Sequence, residues 1–389
     1  MRIRNALCGL LWTGLIGQGI AQGPAPSKLD TAASTEMVVK IMKAAHDHAM
    51  AHGGKYPPAI SPSEQLLLGD SPAIDIAAFR SGTEAPVIVW TVNDVAHMHW
   101  LIQHRVEGII ADRPDVLHQV LREEAVSTGS SRPEDKKYFE NFDIEAHAGG
   151  KGLRPENTLP AYEGALDAGA TTIESDTGLT LDGVSLMSHD ASLSPEYCRR
   201  NDGTPYTESD RVLIKDMTMA EAQKAFTCDK ITPGSTQKND LELSPVAVAF
   251  AKKIGLSGPY TPVSVAELYD FVSFYRDYYQ SGSGKNQPEA QQRIQTAEKV
   301  RFNLEIKIDL RPANQKDAFP PEKFASALGG AIMKAHMEAR TDIESFNFQS
   351  LLLVQEQFPA IRTVYLFGIV DPRLLYLLPT SLQKAAMAQ

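Results

Sequence analysis

The chain has 389 residues, 43% of them hydrophobic and 22% charged, with a formal net charge of -10. This is an ordinary globular composition, and the length suits one large barrel or two medium domains. The acidity argues against nucleic acid or an anionic membrane as partner, while leaving room for a local cationic or metal-bearing pocket that takes an anion.

Residues 1–23 carry Arg2 and Arg4, then an apolar run, then small residues around Ala21 and Gly23. That is the layout of a secretory signal peptide. A buried N-terminal helix or a single anchor helix is the competing reading, but the run is short and interrupted by Gly. The expectation is an exported protein, periplasmic or secreted, with no stable membrane insertion after signal removal. Cys8 would leave with the signal. Cys198 and Cys228 then remain as an even pair in an oxidising compartment, either as a disulfide or as two free thiols.

Residues 24–34 are rich in Pro, Ala and Ser and read as a linker. Residues 35–52 read as a helix with Met37, Val38, Ile41, Met42 and Ala45 on one side. His46, His48 and His52 lie on the same segment. His46 and His52 are not one turn apart, so a solvated helix face is expected there rather than a metal site. Residues 53–85 read as loop. Pro86–Val92, PVIVWTV, reads as a buried parallel strand. A helix at about 94–104, a strand at 108–111 and a helix at about 114–123 follow. Residues 124–141 are polar and read as a second linker.

From residue 142 strands and helices alternate. Candidate strands are 142–147, 171–176, 184–189, 302–308, 342–346 and 361–366. Helices fit at about 158–168, 219–226, 264–278, 321–338 and 349–357. Repeated βα units imply an α/β protein with a parallel sheet, and this many imply a TIM-type (β/α)8 barrel. Residues 191–300 break the rhythm and read as a capping insertion over one barrel mouth.

Chemistry concentrates at the ends of the predicted strands. His147, Glu174 with Asp176, and His189 each close one strand, and Glu305 with Lys307 closes another. Period-2 geometry puts Glu174 and Asp176 on one face, where they repel each other unless a cation or basic partner intervenes. Glu305 adds a third carboxylate at the same barrel end, which suits a hard divalent cation. Lys307 is placed to neutralise a phosphate oxygen. Two histidines bracketing the acidic pair suggest general acid–base catalysis.

These motifs, together with Arg154-Pro155-Glu156-Asn157-Thr158 and His189-Asp190, resemble the ordered motifs of glycerophosphodiester phosphodiesterases. The resemblance implies a TIM barrel in which Glu174, Asp176 and Glu305 bind Ca²⁺ or Mg²⁺, His147 and His189 form the catalytic pair, and Lys307 contacts phosphate. It implies a small-molecule phosphodiester substrate, cleaved to glycerol 3-phosphate and an alcohol. A phospholipase-D-like enzyme that releases a cyclic phosphate from lysolipids, and a catalytically weak binding protein, are the alternatives. Phe346 resembles an aromatic that lines the pocket, and Trp90 would enter the same mouth. The family usually has Arg directly after the first histidine; here it is Ala148. Lys151 or Arg154 is the candidate substitute.

The order of the pieces departs from the family. Its closing strands resemble Val87–Asn93 and Gly108–Pro114, which here precede His147. One arrangement is a circularly permuted barrel, with residues 35–123 supplying strands seven and eight and residues 142–389 supplying strands one to six. The other is a truncated tandem. Permutation is the expectation, because two strands and six make eight and an open sheet leaves apolar edges unpaired. The strand at 87–92 should then pair with 361–366, and the strand at 108–111 with 142–147.

Overall fold

The computed structural model describes residues 30–129, 132–311 and 313–388. The expected signal at 1–23, Cys8 and most of the 24–34 linker lie outside the described residues. Among the described residues, no helix is long and apolar enough to cross a membrane.

Eight parallel strands form the barrel: β1 (Ala59–Pro62), β2 (Ile88–Val89), β3 (Gly108–Ala111), β4 (Asp143–Ala146), β5 (Thr172–Leu179), β9 (Arg301–Ile306), β10 (Thr341–Ser345) and β11 (Arg362–Phe367). They follow one another round the wall in chain order. The wall closes where β11 pairs with β1, Ala59 opposite Val364, and where the bridges Ile60–Val87 and Ser63–Trp90 join β1 to β2. The first three strands complete the barrel made by the other five, so the truncated tandem is excluded.

The division is three and five, not two and six. Residues 53–85, read as loop, contain β1 and the helix α2 (Ile76–Gly82). Four residues ending in Pro leave no periodic signal, yet all four are buried and paired. Because β1 intervenes, Val87–Val92 does not pair with 361–366 as expected. The expected pairing of 108–111 with 142–147 holds, with Ile110 opposite Glu145. The expected strand at 184–189 is not in the wall. Beyond the wall β5 turns at Asp182-Gly183, with Gly183 at φ +79°, into β6 (Ser185–Met187), its antiparallel partner. An Asp-Gly pair between strands is a hairpin signal.

The helices pack outside. α1 (Thr31–Ala51) is capped by Asp30, and buries Val38, Ile41, Met42, Ala45 and Ala49 at helical spacing. α3 (Val95–Gln103) follows β2. α4 (Pro114–Ser127) runs into the predicted linker 124–141, and α5 (Pro133–Asn141) occupies much of the rest. The polar sequence of α5 misleads, because polar groups are what fix it: Asp135 pairs with Arg105 and Arg132, and the Tyr138 hydroxyl donates to the carbonyls of Ile102 and Val106 at 3.1 and 2.9 Å.

α6 (Leu159–Asp167) follows β4. The cap over the mouth is shorter than expected. It holds the small hairpin β7 (Arg199–Arg200) and β8 (Phe226–Thr227), the helix α7 (Met219–Ala225) and a Cys198–Cys228 disulfide. Its own apolar cluster includes Leu186, Leu193, Tyr206, Ile214 and Phe226. From α8 (Pro245–Ile254) the chain rejoins the main core, and α9 (Val265–Gln280) and α10 (Ala290–Lys299) bury residues in it. α11 (Pro321–Lys334), α12 (Phe348–Gln357) and α13 (Thr380–Met387) complete the shell. α13 lies against α1, where Lys40 Nζ donates to the Ala388 carbonyl at 2.7 Å.

Strand alternation divides each strand between two environments. Ile109, Ile144, Phe302, Leu304 and Ile343 join the shell core. Ala59, Ile88, Ile110 and Val364 form a separate apolar cluster beneath Trp90. The alternating positions on β4, β5, β9 and β10 are polar and buried, among them Glu145, Glu174, Asp176, Asn303, Glu305 and Glu344. One half of the lumen is therefore apolar and the other half acidic.

Candidate active site

The mouth is built where β4, β5 and β9 end. β4 runs into a 3-10 turn at His147–Gly149. Gly149 sits at φ +78°, and a Cβ there would lie 2.6 Å from the Tyr162 ring, so the turn requires glycine on two counts. Ala148 is buried in a left-handed conformation, φ 45°, and its backbone N–H donates to Glu174 Oε2 at 2.7 Å. Thr158 caps α6 just after Asn157, itself at φ 55°.

Asn157 fixes the acidic strand. Its Oδ1 accepts from the Ser175 hydroxyl at 2.5 Å and from the Asp176 backbone N–H at 3.2 Å, and its Nδ2 donates to Asp176 Oδ2 at 3.1 Å. From β9, Lys307 Nζ stands 3.1 Å from Glu305 Oε2 and 3.3 Å from Asp176 Oδ1. A deeper layer is also acidic: Asn303 Nδ2 donates to Glu145 at 2.9 Å and to Glu344 at 2.7 Å.

Charge in this half of the lumen is unbalanced. Burial pushes the Glu174 carboxyl well up, and Asp176 and Glu344 push it further. Burial likewise takes Glu305 up to about 7 against the pull of Lys307. Asp176 goes the other way: burial raises it, but Lys307, His189, His147 and the Asn157 amide outweigh burial and hold it low. Glu145 and Glu344 are both raised, first by burial and then by neighbouring carboxylates. Among the described residues Lys307 is the cation paired with Asp176 and Glu305, and an all-oxygen donor set short of positive charge fits a hard divalent cation. The three predicted ligands stand apart: among the described residues, the group that brings one ligand atom from each of three side chains within 4.8 Å is His48, His52 and Glu356.

The two histidines each have a carboxylate partner. His147 Nδ1 lies 2.6 Å from Asp112 Oδ1, and His189 Nδ1 lies 3.0 Å from Asp190 Oδ1. Asp112 is itself held by Asn93, whose Nδ2 donates to Oδ2 at 2.8 Å and whose Oδ1 accepts the Asp112 N–H at 3.0 Å. Burial raises the Asp112 carboxyl, but His147, Lys151 and Asn93 bring it below the usual range. These contacts make each Nδ1 a donor and leave each Nε2 with its lone pair or second proton. Sequence reasoning missed Asp112 and Asn93. The signal was there, a polar residue directly after each of two apolar runs, PVIVWTV and GIIA.

The substrate-binding expectations divide. Trp90 Nε1 donates to the Ser61 carbonyl at 2.8 Å, and its ring packs edge-on to Phe346 with centroids 5.3 Å apart. Lys151 Nζ stands 3.7 Å from Glu156 Oε2, near enough to Asp112 to depress it. Arg154 does not serve the mouth. Its guanidinium meets Ser244 Oγ and the carbonyls of Leu153 and Leu243 at 3.5, 2.9 and 3.4 Å, because the turn after Gly150 carries it round to the segment before α8.

The cap closes one side. His189, Asp190, Asn157, Tyr197 and the disulfide share a cleft. Gln237 Nε2 donates to the Lys151 carbonyl at 2.6 Å and Thr236 Oγ1 to that of Gly152 at 2.8 Å, so the cap is tied to the Gly-rich loop.

Comparison with known proteins places this geometry. The model of the glycerophosphoryl diester phosphodiesterase family matches residues 41–116 and 147–388. A glycerophosphodiester phosphodiesterase of Bacillus altitudinis is 40% identical over 81 residues, 21% of this chain and 29% of that protein. Lysophospholipase D GDPD3 of Mus musculus is 47% identical over 51 residues, 13% of this chain and 16% of that protein. The chain thus spans less than a third of the length of either relative. Among solved structures, a putative glycerophosphoryl diester phosphodiesterase from Silicibacter pomeroyi DSS-3 aligns with a TM-score of 0.42 at 22% identity, covering 57% of this chain and 63% of that one. An Oleispira antarctica phosphodiesterase in complex with the product sn-glycerol-3-phosphate aligns at 0.38 and 20%, covering 60% and 70%.

Proposed function

We propose, because this chain belongs to the glycerophosphoryl diester phosphodiesterase family, that it hydrolyses glycerophosphodiesters to glycerol 3-phosphate and an alcohol. The observation that carries the reading is the pair of carboxylate-held histidines, His147 on Asp112 and His189 on Asp190, beside the buried acidic set and Lys307.

His147 presents Nε2 as general base, with Asp112 fixing the tautomer and stabilising the imidazolium that forms. It takes a proton from the attacking water as the new O–P bond forms. His189 is the general acid. As the P–O bond to the alcohol breaks, its proton passes to the departing oxygen, which is a poor leaving group without it. Lys307 sets a positive charge beside the phosphoryl oxygens, and Lys151 stands where it can take the place of the arginine replaced by Ala148. Members of this family generally use a divalent metal. Ca²⁺ or Mg²⁺ held by Glu174, Asp176 and Glu305 would supply charge neutralisation at the phosphoryl group.

The Cys198–Cys228 disulfide supports an oxidising compartment, and hence export to the periplasm or beyond. The net charge of -10 supports a small-molecule substrate over nucleic acid. The likeness to a lysophospholipase D favours one further reading, a lysolipid as substrate; attack by a hydroxyl of that substrate would give a cyclic phosphate. Turnover of glycerophosphocholine in Ca²⁺ or Mg²⁺, followed by phosphorus NMR, tests both. Glycerol 3-phosphate is expected. A cyclic phosphate from lysolipid selects the second reading, and no turnover of either substrate with either metal rejects the enzyme.

A further inference from the structure

We infer that His48, His52 and Glu356 form a second divalent-cation site, for a late first-row transition metal such as Zn²⁺, at the floor of the barrel. His48 is in the last turn of α1, His52 is its C-cap and Glu356 is near the end of α12. Those helix ends lead into the N-termini of β1 and β11, so the site lies at the opposite end of the barrel from the mouth. One ligand atom from each of the three side chains lies within 4.8 Å of the other two.

The hydrogen bonds assign the free nitrogens. Gln355 Nε2 is committed as donor to Thr363 Oγ1 at 2.8 Å and Tyr365 Oη at 3.2 Å. In this amide orientation its Oε1 faces His48 Nδ1, 2.9 Å away, as an acceptor, and Nδ1 carries the proton. His52 Nδ1 is likewise a donor, to the His48 carbonyl at 2.8 Å. In neutral imidazoles both Nε2 atoms then carry lone pairs. His48 Nε2 meets Glu356 Oε1 at 3.2 Å, an acceptor facing an acceptor, and the His52 ring lies 4.4 Å from that of His48 between centroids. A cation between them turns this mutual repulsion into ligation.

The pattern is that of a built site. Each histidine donates its other ring N–H to a fixed oxygen, and for His48 that oxygen belongs to a buried amide, as metal-bound histidines are usually held. Imidazole and carboxylate suit Zn²⁺ and its neighbours rather than Ca²⁺ or Mg²⁺. Water would fill the remaining positions, since His52 and Glu356 are exposed. The ion would join α1 to α12, across the β1–β11 seam where the barrel closes. The spacing of His46 and His52 points to a solvated face; His48 and His52, one turn apart, are the pair whose rings meet.

The chelator-treated full chain is titrated with Zn²⁺ alone, beside His52→Ala and Glu356→Gln, which alter exposed side chains. The wild type should bind one Zn²⁺ that each variant loses or holds at least ~10-fold more weakly. Zn²⁺ should raise its thermal midpoint by more than theirs. Co²⁺ should give the wild type a ligand-field absorption that both variants lack, while turnover at the mouth stays equal in all three. Any Zn²⁺ taken up at the mouth is common to all three and cancels. Equal stoichiometry and affinity in all three proteins overturns the site and leaves His48 and Glu356 as a hydrogen-bonded pair.

Discussion

Asp112 and His147 meet at 2.6 Å across the two parts of the barrel. Asp112 follows β3, the third strand of the upstream segment, and His147 follows β4, the first strand of the downstream one. The upstream segment therefore supplies a side chain to the candidate site as well as strands to the wall.

Replacing Asp112 by Asn should leave the fold intact and lower turnover by roughly 10²–10⁴-fold, the range for losing a working general base. The amide can hold His147 in the wrong tautomer and cannot stabilise its imidazolium. Single-turnover kinetics on a folded Asp112→Asn protein check this. Turnover within a factor of about two of wild type would reduce Asp112 to a packing role.

Chelation, or Glu174→Ala, Asp176→Ala or Glu305→Ala, should each abolish metal-dependent turnover. Asp176→Ala should weaken metal binding most, because Asp176 is the carboxylate held low and shared with Asn157 and Lys307. Calorimetric titration with Ca²⁺ and Mg²⁺ reads binding apart from activity. Full activity in excess chelator would dispose of the metal.

Lys151 and Arg154 should separate. Lys151→Ala should raise KM more than it lowers kcat, on the order of tenfold, which is about 1.4 kcal/mol and within the range of one charge-assisted contact. Arg154→Ala should leave both constants alone, since its guanidinium serves the segment before α8. Steady-state kinetics on both variants decide it; the opposite ranking would return the phosphate contact to Arg154.

The alkaline limb of the pH–rate profile should belong to His189, which must be protonated to act. Lys307 and burial press its pKa down, but Asp176 and Asp190 prevail and hold it above the ordinary imidazole range. Asp190→Asn removes one raising influence, so His189 loses its proton at lower pH and the limb should move to lower pH. A limb that stays in place, or moves up, contradicts the assignment of His189 as acid.

Much of the mouth was legible because strand alternation is rigid. Glu174 with Asp176, and Glu305 with Lys307, follow from period 2 alone, and the acidic set could be placed at one barrel end before any coordinates. What escaped was signalled by partners, not by periodicity. β1 is four residues stabilised by two neighbouring strands, and no window of sequence shows that. α5 is polar because it is fastened by Asp135 and Tyr138. The 184–189 segment has strand composition, but whether a strand joins a wall or folds back on its predecessor is decided by the Asp182-Gly183 turn. Arg154 looked available because a sequence cannot say which way a glycine turn sends the next side chain.

The seam between β1 and β11 also sets a constraint in time. Ala59 is among the first strand residues to be synthesised, and its partner Val364 among the last. Until that partner emerges, the growing chain carries an exposed strand edge whose completing neighbour does not yet exist. Such edges invite pairing with other chains, and contacts between distant residues form slowly. As in any closed barrel, closure waits for the last strand, and the edge of β1 must stay clear of other chains until then.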